Sequence, residues 1–141
     1  MTAEDLDRFE VGQALPEFVV RPILRADLMR YAEASGDGNP IHIDREFARR
    51  AGFSDVFAQG MLVMAHLARS LTVLVPLVRL RSYGVRFVGI TPIHVELACT
   101  GTVQEKLEVA GEQRLRLALQ VAARGDPKDI KLSGEAVIAL S

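Results

Sequence analysis

The sequence predicts an α+β domain in which an antiparallel sheet with one apolar face wraps around one long central helix. Residues 61–75 are apolar on nearly every side, the mark of a helix that lies inside something. Beyond residue 92 the period changes from 3.6 to two, as strands with one buried face require. The breaks between those alternating runs are short, and short connections force antiparallel pairing. A fully apolar helix and a half-apolar sheet bury each other.

The elements follow in order. A first strand is expected at residues 17–22. Leu24, Leu28 and Tyr31, with Met29 and Ala32, form a two-turn amphipathic stripe, so a helix is expected over 25–34. It stops at Ser35-Gly36, where glycine supplies the backbone freedom of a helix end. The next segment, GDGNPIHI, holds two glycines and an Asn-Pro with no periodicity, and reads as a loop. Asp44 is a candidate N-cap for a short helix over 45–51, closed by Gly52. The central helix, Met61 to Val75, is about 22 Å long at about 1.5 Å per residue. Ala65 and Ala68 permit close approach, and Pro76 ends it.

A strand is expected at 82–88. Alternation then marks Ile93-Val95-Leu97-Cys99, Leu115 to Ala123, and Ile130 to Leu140. Gly111 helps to turn the chain before the last two strands, and residues 125–129, GDPKD, are expected to join them. The sheet thus has about five or six strands, within the ordinary range. No repeat, low-complexity segment or linker interrupts residues 1–141, which read as a single domain.

Composition narrows the function. The chain has 141 residues, 49% hydrophobic and 25% charged, as globular domains do. Its 17 basic and 18 acidic side chains nearly cancel, so nothing points to nucleic acid. Cys99 is the only cysteine, which excludes an intrachain disulfide and a CxxC motif. The start, MTAEDLDRFEVG, is acidic and polar, unlike a secretory signal. The longest apolar run, 61–80, is interrupted by His66, Arg69, Pro76 and Arg79, which suits a buried helix better than a membrane span. The expectation is a soluble, cytoplasmic protein with no membrane partner.

The chemistry concentrates between Tyr31 and Met61. An aromatic residue, Tyr31, precedes Ser35-Gly36-Asp37-Gly38-Asn39-Pro40-Ile41-His42, and Gln59-Gly60-Met61 follows downstream. This pattern resembles the MaoC-like, R-specific enoyl-thioester hydratase family, densely over the 31–61 run and more weakly through GVRF at 84–87 to the last strands. The chain is also similar in length and register to the small (3R)-hydroxyacyl-thioester dehydratase subunits of mycobacterial type II fatty-acid synthesis.

The resemblance implies a hot-dog fold and reversible hydration of trans-2-enoyl thioesters to (3R)-3-hydroxyacyl thioesters, carried on coenzyme A or acyl carrier protein. It implies catalytic roles for Asp37 and His42, an oxyanion-donating N–H at Gly60, and substrate-binding positions at Asn39 and Met61. It implies neither a metal nor a redox cofactor. Relatives dimerise edge to edge with active sites near the interface, so a dimer is expected, homodimeric or heterodimeric.

Those residue types fit that chemistry. Hydration needs a base for the water and an acid for the α-carbon, and a carboxylate with an imidazole can exchange a proton through one water. Asn39-Pro40 stiffens the loop between them, because proline restricts its own φ and the residue before it. Gly60 is expected at a helix N-terminus, where unpaired N–H groups favour a developing enolate.

Plainer readings compete. Asp37 alone could be a turn residue, and His42 alone a structural histidine; the shared spacing with Gln59-Gly60-Met61 turns the balance towards a site. His66 reads as a core histidine or one facing a partner subunit, and Met61 and Met64 as packing, with Met64 a candidate for an acyl tunnel. His94 and Glu96, on one strand face, lack a third metal ligand. Arg79, Arg81 and Arg86 read as a solvated strand face before phosphate contacts, and Cys99 as core. Pro92-Ile93-His94 departs from the Pro-Gly-Asp that many relatives carry there. Ala68 occupies the region where some hydratases place a supporting serine.

Two rival functions remain. A thioesterase shares the fold, and the Asp-x-Asn-Pro-x-His loop argues against it. A non-catalytic partner subunit has no need of intact Asp37 and His42.

Overall fold

The computed structural model describes Leu6 and residues 8–141. Most of the acidic N-terminal start lies outside them. Five strands form one antiparallel sheet: β1 Phe18–Val20, β2 Leu80–Phe87, β3 Leu97–Val109, β4 Glu112–Ala123 and β5 Asp126–Ala139, in the order β1-β3-β4-β5-β2. Among the described residues three α-helices accompany them: α1 Arg25–Ser35, α2 Arg45–Arg50 and α3 Gly60–Thr72. The expected α+β class, with an antiparallel sheet packed on a central helix, is what the chain adopts.

The local signals act as their chemistry dictates. Gly36 closes α1 at φ 79°, donating its N–H to the Ala32 carbonyl. Asp44 caps α2, its carboxylate accepting from the N–H groups of Glu46 and Phe47. The β3–β4 hairpin turns on two residues, Ala110 at φ 51° and Gly111 at φ 81°, a pairing that matches strand twist.

Three expectations are corrected. The β4–β5 connection is the two-residue turn Arg124-Gly125, and strand pairing resumes at Asp126. The register jumps from Ala122↔Ile130 to Ala123↔Asp126, so Pro127, which has no N–H to give a ladder, sits in a bulge. The strand expected from Ile93 begins only at Leu97. His94 has φ 69°, which breaks the pleat, and its N–H donates to the Ile23 carbonyl at 2.7 Å. His94 and Glu96 therefore share no strand face.

The central helix ends at Thr72, and it is not buried all round within one chain. Its buried stripe is Val63, Leu67 and Leu71, four residues apart, while Met61 is 56% exposed. The sheet covers one side of the helix only. Leu97, Leu117, Leu132 and Ile138 from three strands join that stripe in the core. The Tyr83 hydroxyl donates to the Met64 carbonyl at 2.6 Å, fastening β2 to α3.

Candidate active site

The loop after α1 is organised by its own side chains. The Asn39 N–H donates to Asp37 Oδ1 at 3.2 Å, and the Ile41 N–H donates to Asn39 Oδ1 at 3.1 Å. The Asp37 N–H donates to the Ser35 hydroxyl. Pro40 then starts a short 3-10 turn, Pro40–His42. Asp37 keeps one oxygen, Oδ2, for work outside the loop, and His42 is delivered one helical turn beyond the proline.

His42 Nδ1 lies 2.7 Å from the Phe57 carbonyl oxygen. A carbonyl can only accept, so the proton of the neutral ring is on Nδ1 and the lone pair is on Nε2. The Phe57 ring meets the imidazole edge to face, with centroids 5.2 Å apart. Nε2 points to Asp37 Oδ2 at 4.0 Å, with the His42 side chain 12% exposed and that of Asp37 43% exposed. That gap is too long for a direct hydrogen bond. One water at about 2.8 Å from each atom spans it with an angle near 90°, close to what a water's donor and acceptor directions allow.

His42 borders a cavity of about 140 Å³ closed by Phe57, Gly60, Phe87, Gly89, Thr91 and neighbouring apolar side chains. Gly60 is the first residue of α3, so its N–H has no intrahelical acceptor. A Cβ at Gly60 would sit 2.8 Å from Phe87 Cε1, and one at Gly89 would sit 2.7 Å from the Ile130 carbonyl oxygen. Both glycines let main chain stand where a side chain would fill the space.

The structure thus brings His42 and Gly60 to one cavity, with Asp37 outside its lining and 4.0 Å from His42, and leaves other expected residues apart. Asn39 holds the loop instead of lining the cavity. Met61 lies outside the lining. Tyr31 and His66 border a different groove, between α1 and α3. Burial, with Arg21 and Arg69 nearby, lowers the pKa of His66. Arg81 is engaged by Glu112 at 2.7 and 2.8 Å, and Arg79 donates to the Leu140 carbonyl. Cys99 is buried, its thiol pushed up to about 12 by desolvation, which makes it inert as a nucleophile. Among the described residues no group of three His, Cys, Asp or Glu side chains is placed to hold a metal, and no helix is long and apolar enough to cross a membrane.

Sequence reasoning missed Phe57, Phe87 and Thr91. Phe57 acts through its carbonyl, which every residue has. Phe87 and Thr91 reach the cavity from the end of β2 and the loop beyond, by tertiary placement alone. Gln59 was visible as part of a motif but not in its role: it is 1% exposed, and its Nε2 donates to the Leu28 carbonyl of α1 at 2.9 Å.

Comparison with known proteins identifies the family. Residues 8–123 match the model of the MaoC-like domain. The 3-hydroxybutyryl-CoA dehydratase of Methylorubrum extorquens is 31% identical over 140 residues, covering 96% of this chain and 81% of that protein. A mitochondrial 3-hydroxyacyl-[acyl-carrier-protein] dehydratase of Arabidopsis thaliana is 43% identical over 60 residues, 43% of this chain and only 35% of that protein. Among solved structures, unliganded R-hydratase PhaJ1 of Pseudomonas aeruginosa superimposes with a TM-score of 0.80 at 29% identity, covering 94% of this chain and 83% of that one. The match to the family model over most of the chain, with a relative 31% identical over 140 residues, shows that the chain belongs to the MaoC-like family of hydratases and dehydratases.

Proposed function

We propose that this protein interconverts trans-2-enoyl and (3R)-3-hydroxyacyl thioesters by adding or removing water, with Asp37 and His42 as the proton-transferring pair. The observation that carries the reading is the 4.0 Å gap between His42 Nε2 and Asp37 Oδ2, held open beside the cavity that Gly60 borders. In hydration, the water oxygen bonds to carbon 3 of the enoyl group as its proton passes to the pair. The electron pair of the double bond moves towards the thioester carbonyl, and the Gly60 N–H receives the resulting oxyanion. The pair then returns a proton to carbon 2, so its proton count is unchanged over the cycle. Dehydration is the same path reversed.

Of the relatives, one is named for a coenzyme A thioester and another for a carrier-protein thioester. Both share the acyl thioester and its phosphopantetheine arm, and this is the substrate class proposed. We read the protein as a dimer joined along β2. Among the described residues that strand has a neighbour on one side only, and Phe87, Val88 and Ile90 at its end are exposed. A second subunit there would cover them and complete the cavity wall.

The test is hydration of crotonyl-CoA and a longer enoyl-CoA, followed by loss of the conjugated double bond and by product chirality. Asp37→Asn and His42→Ala should each lose about 10²- to 10⁴-fold in kcat, the usual range for a displaced acid or base. Release of free thiol by the wild type would favour a thioesterase and overturn the reading.

A further inference from the structure

A groove of about 360 Å³ runs between α1 and α3 and shares no wall residue with the catalytic cavity. Its floor is apolar: Val20 and Ile23, both buried, and Leu62, packed against the core. From α1 it is lined by Asp27, Arg30, Tyr31 and Ala34, whose spacing places them along one side of that helix. Arg21, just beyond β1, and His66 of α3 complete the walls.

The polar side of the groove carries more positive charge than it neutralises. Arg21 donates to both oxygens of Asp27 at 2.9 Å, and the Leu24 N–H adds a bond of 2.8 Å. Arg30 adds another, from Nη2 to Oδ1 at 3.2 Å. Asp27 is thereby filled, since a carboxylate offers about four acceptor directions. Two guanidiniums share this one carboxylate, so one positive charge at the rim has no counter-charge from the groove's own walls. The Arg30 side chain is 71% exposed. It spends Nε on the Ala26 carbonyl and Nη2 on Asp27, which leaves Nη1 for an acceptor arriving from solvent. His66 feels the same field: after burial itself, Arg21 and Arg69 lower its pKa, and Asp27 opposes them more weakly.

An apolar trough with one uncompensated guanidinium at its rim suits an amphiphile with one negative charge. A planar carboxylate matches the edge of a guanidinium. At about 30 Å³ for each water-sized group, the groove holds a chain of about ten carbons. We propose that this groove binds a medium-chain carboxylate, its chain lying over Val20, Ile23 and Leu62 and its head on Arg30. The site goes beyond the hydration reading and does not depend on it.

The test is calorimetric titration of the full chain with hexanoate, octanoate and decanoate, with octanol as the uncharged control. Affinity should rise about two- to fourfold for each added methylene, as partial to full burial of that group predicts. Octanol should bind about tenfold more weakly than octanoate, for want of the charged hydrogen bond. Arg30→Gln should weaken octanoate by the same factor and leave octanol unchanged. Ala34→Trp, at an exposed position on the α1 side, fills the groove and should abolish binding of both; urea unfolding of the same sample checks that the fold persists. His42→Ala, in the catalytic cavity, should leave octanoate binding unchanged.

A wild type that takes up no decanoate at millimolar concentration would overturn the proposal, and so would equal binding of octanol and octanoate. Octanoate binding that survives both Arg30→Gln and Ala34→Trp would do the same. Its loss in His42→Ala would place the ligand in the catalytic cavity and empty the groove of this role.

Discussion

Gly60→Ala separates the stability of α3 from the chemistry at its start. The backbone at Gly60 is not in the left-handed region, so alanine fits it without strain. The new Cβ would lie 2.8 Å from Phe87 Cε1 and 2.9 Å from Cδ1, so the ring must swing away. Phe87 is half exposed and can move, at about 0.5–1.5 kcal/mol for an imperfect rotamer. Alanine returns up to about 1 kcal/mol of helix propensity. The two nearly cancel, so stability should change by less than about 1 kcal/mol.

Function should not escape so lightly. A methyl group takes about 30 Å³, close to one water's share, or about a fifth of a cavity of about 140 Å³. It also stands beside the N–H proposed to receive the oxyanion, and losing such a donor costs about 10²- to 10³-fold in rate. The assay is hydration of crotonyl-CoA set against urea unfolding of the same samples. The double variant Gly60→Ala/Phe87→Ala shows whether the displaced ring or the methyl is the obstruction, through its departure from additivity. An alanine variant that keeps its activity within about twofold would refute the Gly60 role; one that unfolds would show that the glycine serves packing instead.

Other perturbations follow from single contacts. Gln59→Met should be neutral or stabilising by about 1 kcal/mol in urea, because Gln59 Oε1 is buried without a partner, a condition that costs about 1–3 kcal/mol. The Leu28 carbonyl it would release already lies inside the α1 ladder, so a loss beyond about 2 kcal/mol would contradict this account. Asp27 is held at about 2, chiefly by its hydrogen bonds from Arg21 at 2.9 Å and then from the Leu24 N–H. A carboxylate depressed in the folded state stabilises above its unfolded value and loses that contribution as pH falls through the folded one. Thermal melts of Asp27→Asn should therefore lie below wild type at pH 6 and converge with it between about pH 4 and about 2. His94→Gly should raise the melting temperature, since glycine accepts φ 69° without the penalty of about 1–2 kcal/mol that an L side chain bears there, part of it offset by glycine's looser unfolded state.

What the sequence revealed depended on how locally each feature is determined. The ends of α1 and α2 were readable because Gly36 and Asp44 satisfy the adjacent backbone by themselves. The alternation of Ile93, Val95, Leu97 and Cys99 looked like one strand, but the His94 N–H goes to Ile23, far along the chain. A backbone hydrogen bond to a distant partner leaves no periodic trace, and Ile93 is buried by packing, outside any ladder. The apolar girth of α3 was read as a demand for burial on every side, and the structure buries only the Val63, Leu67 and Leu71 stripe. How much of that cover one chain supplies is a tertiary property, and Met61 remains outside it.

The loop from Asp37 to His42 was legible for the same reason as the caps: Asp37, Asn39 and Pro40 shape one another within a few residues. The contact that fixes the His42 tautomer was not, because it is the main-chain carbonyl of Phe57. That has a consequence for which positions can vary. Any residue at 57 keeps the carbonyl and hence the proton on Nδ1, so side-chain changes there alter the wall of the cavity without changing the tautomer. The tautomer of His42 is thus set by backbone, and part of the cavity wall by the side chain on the same residue.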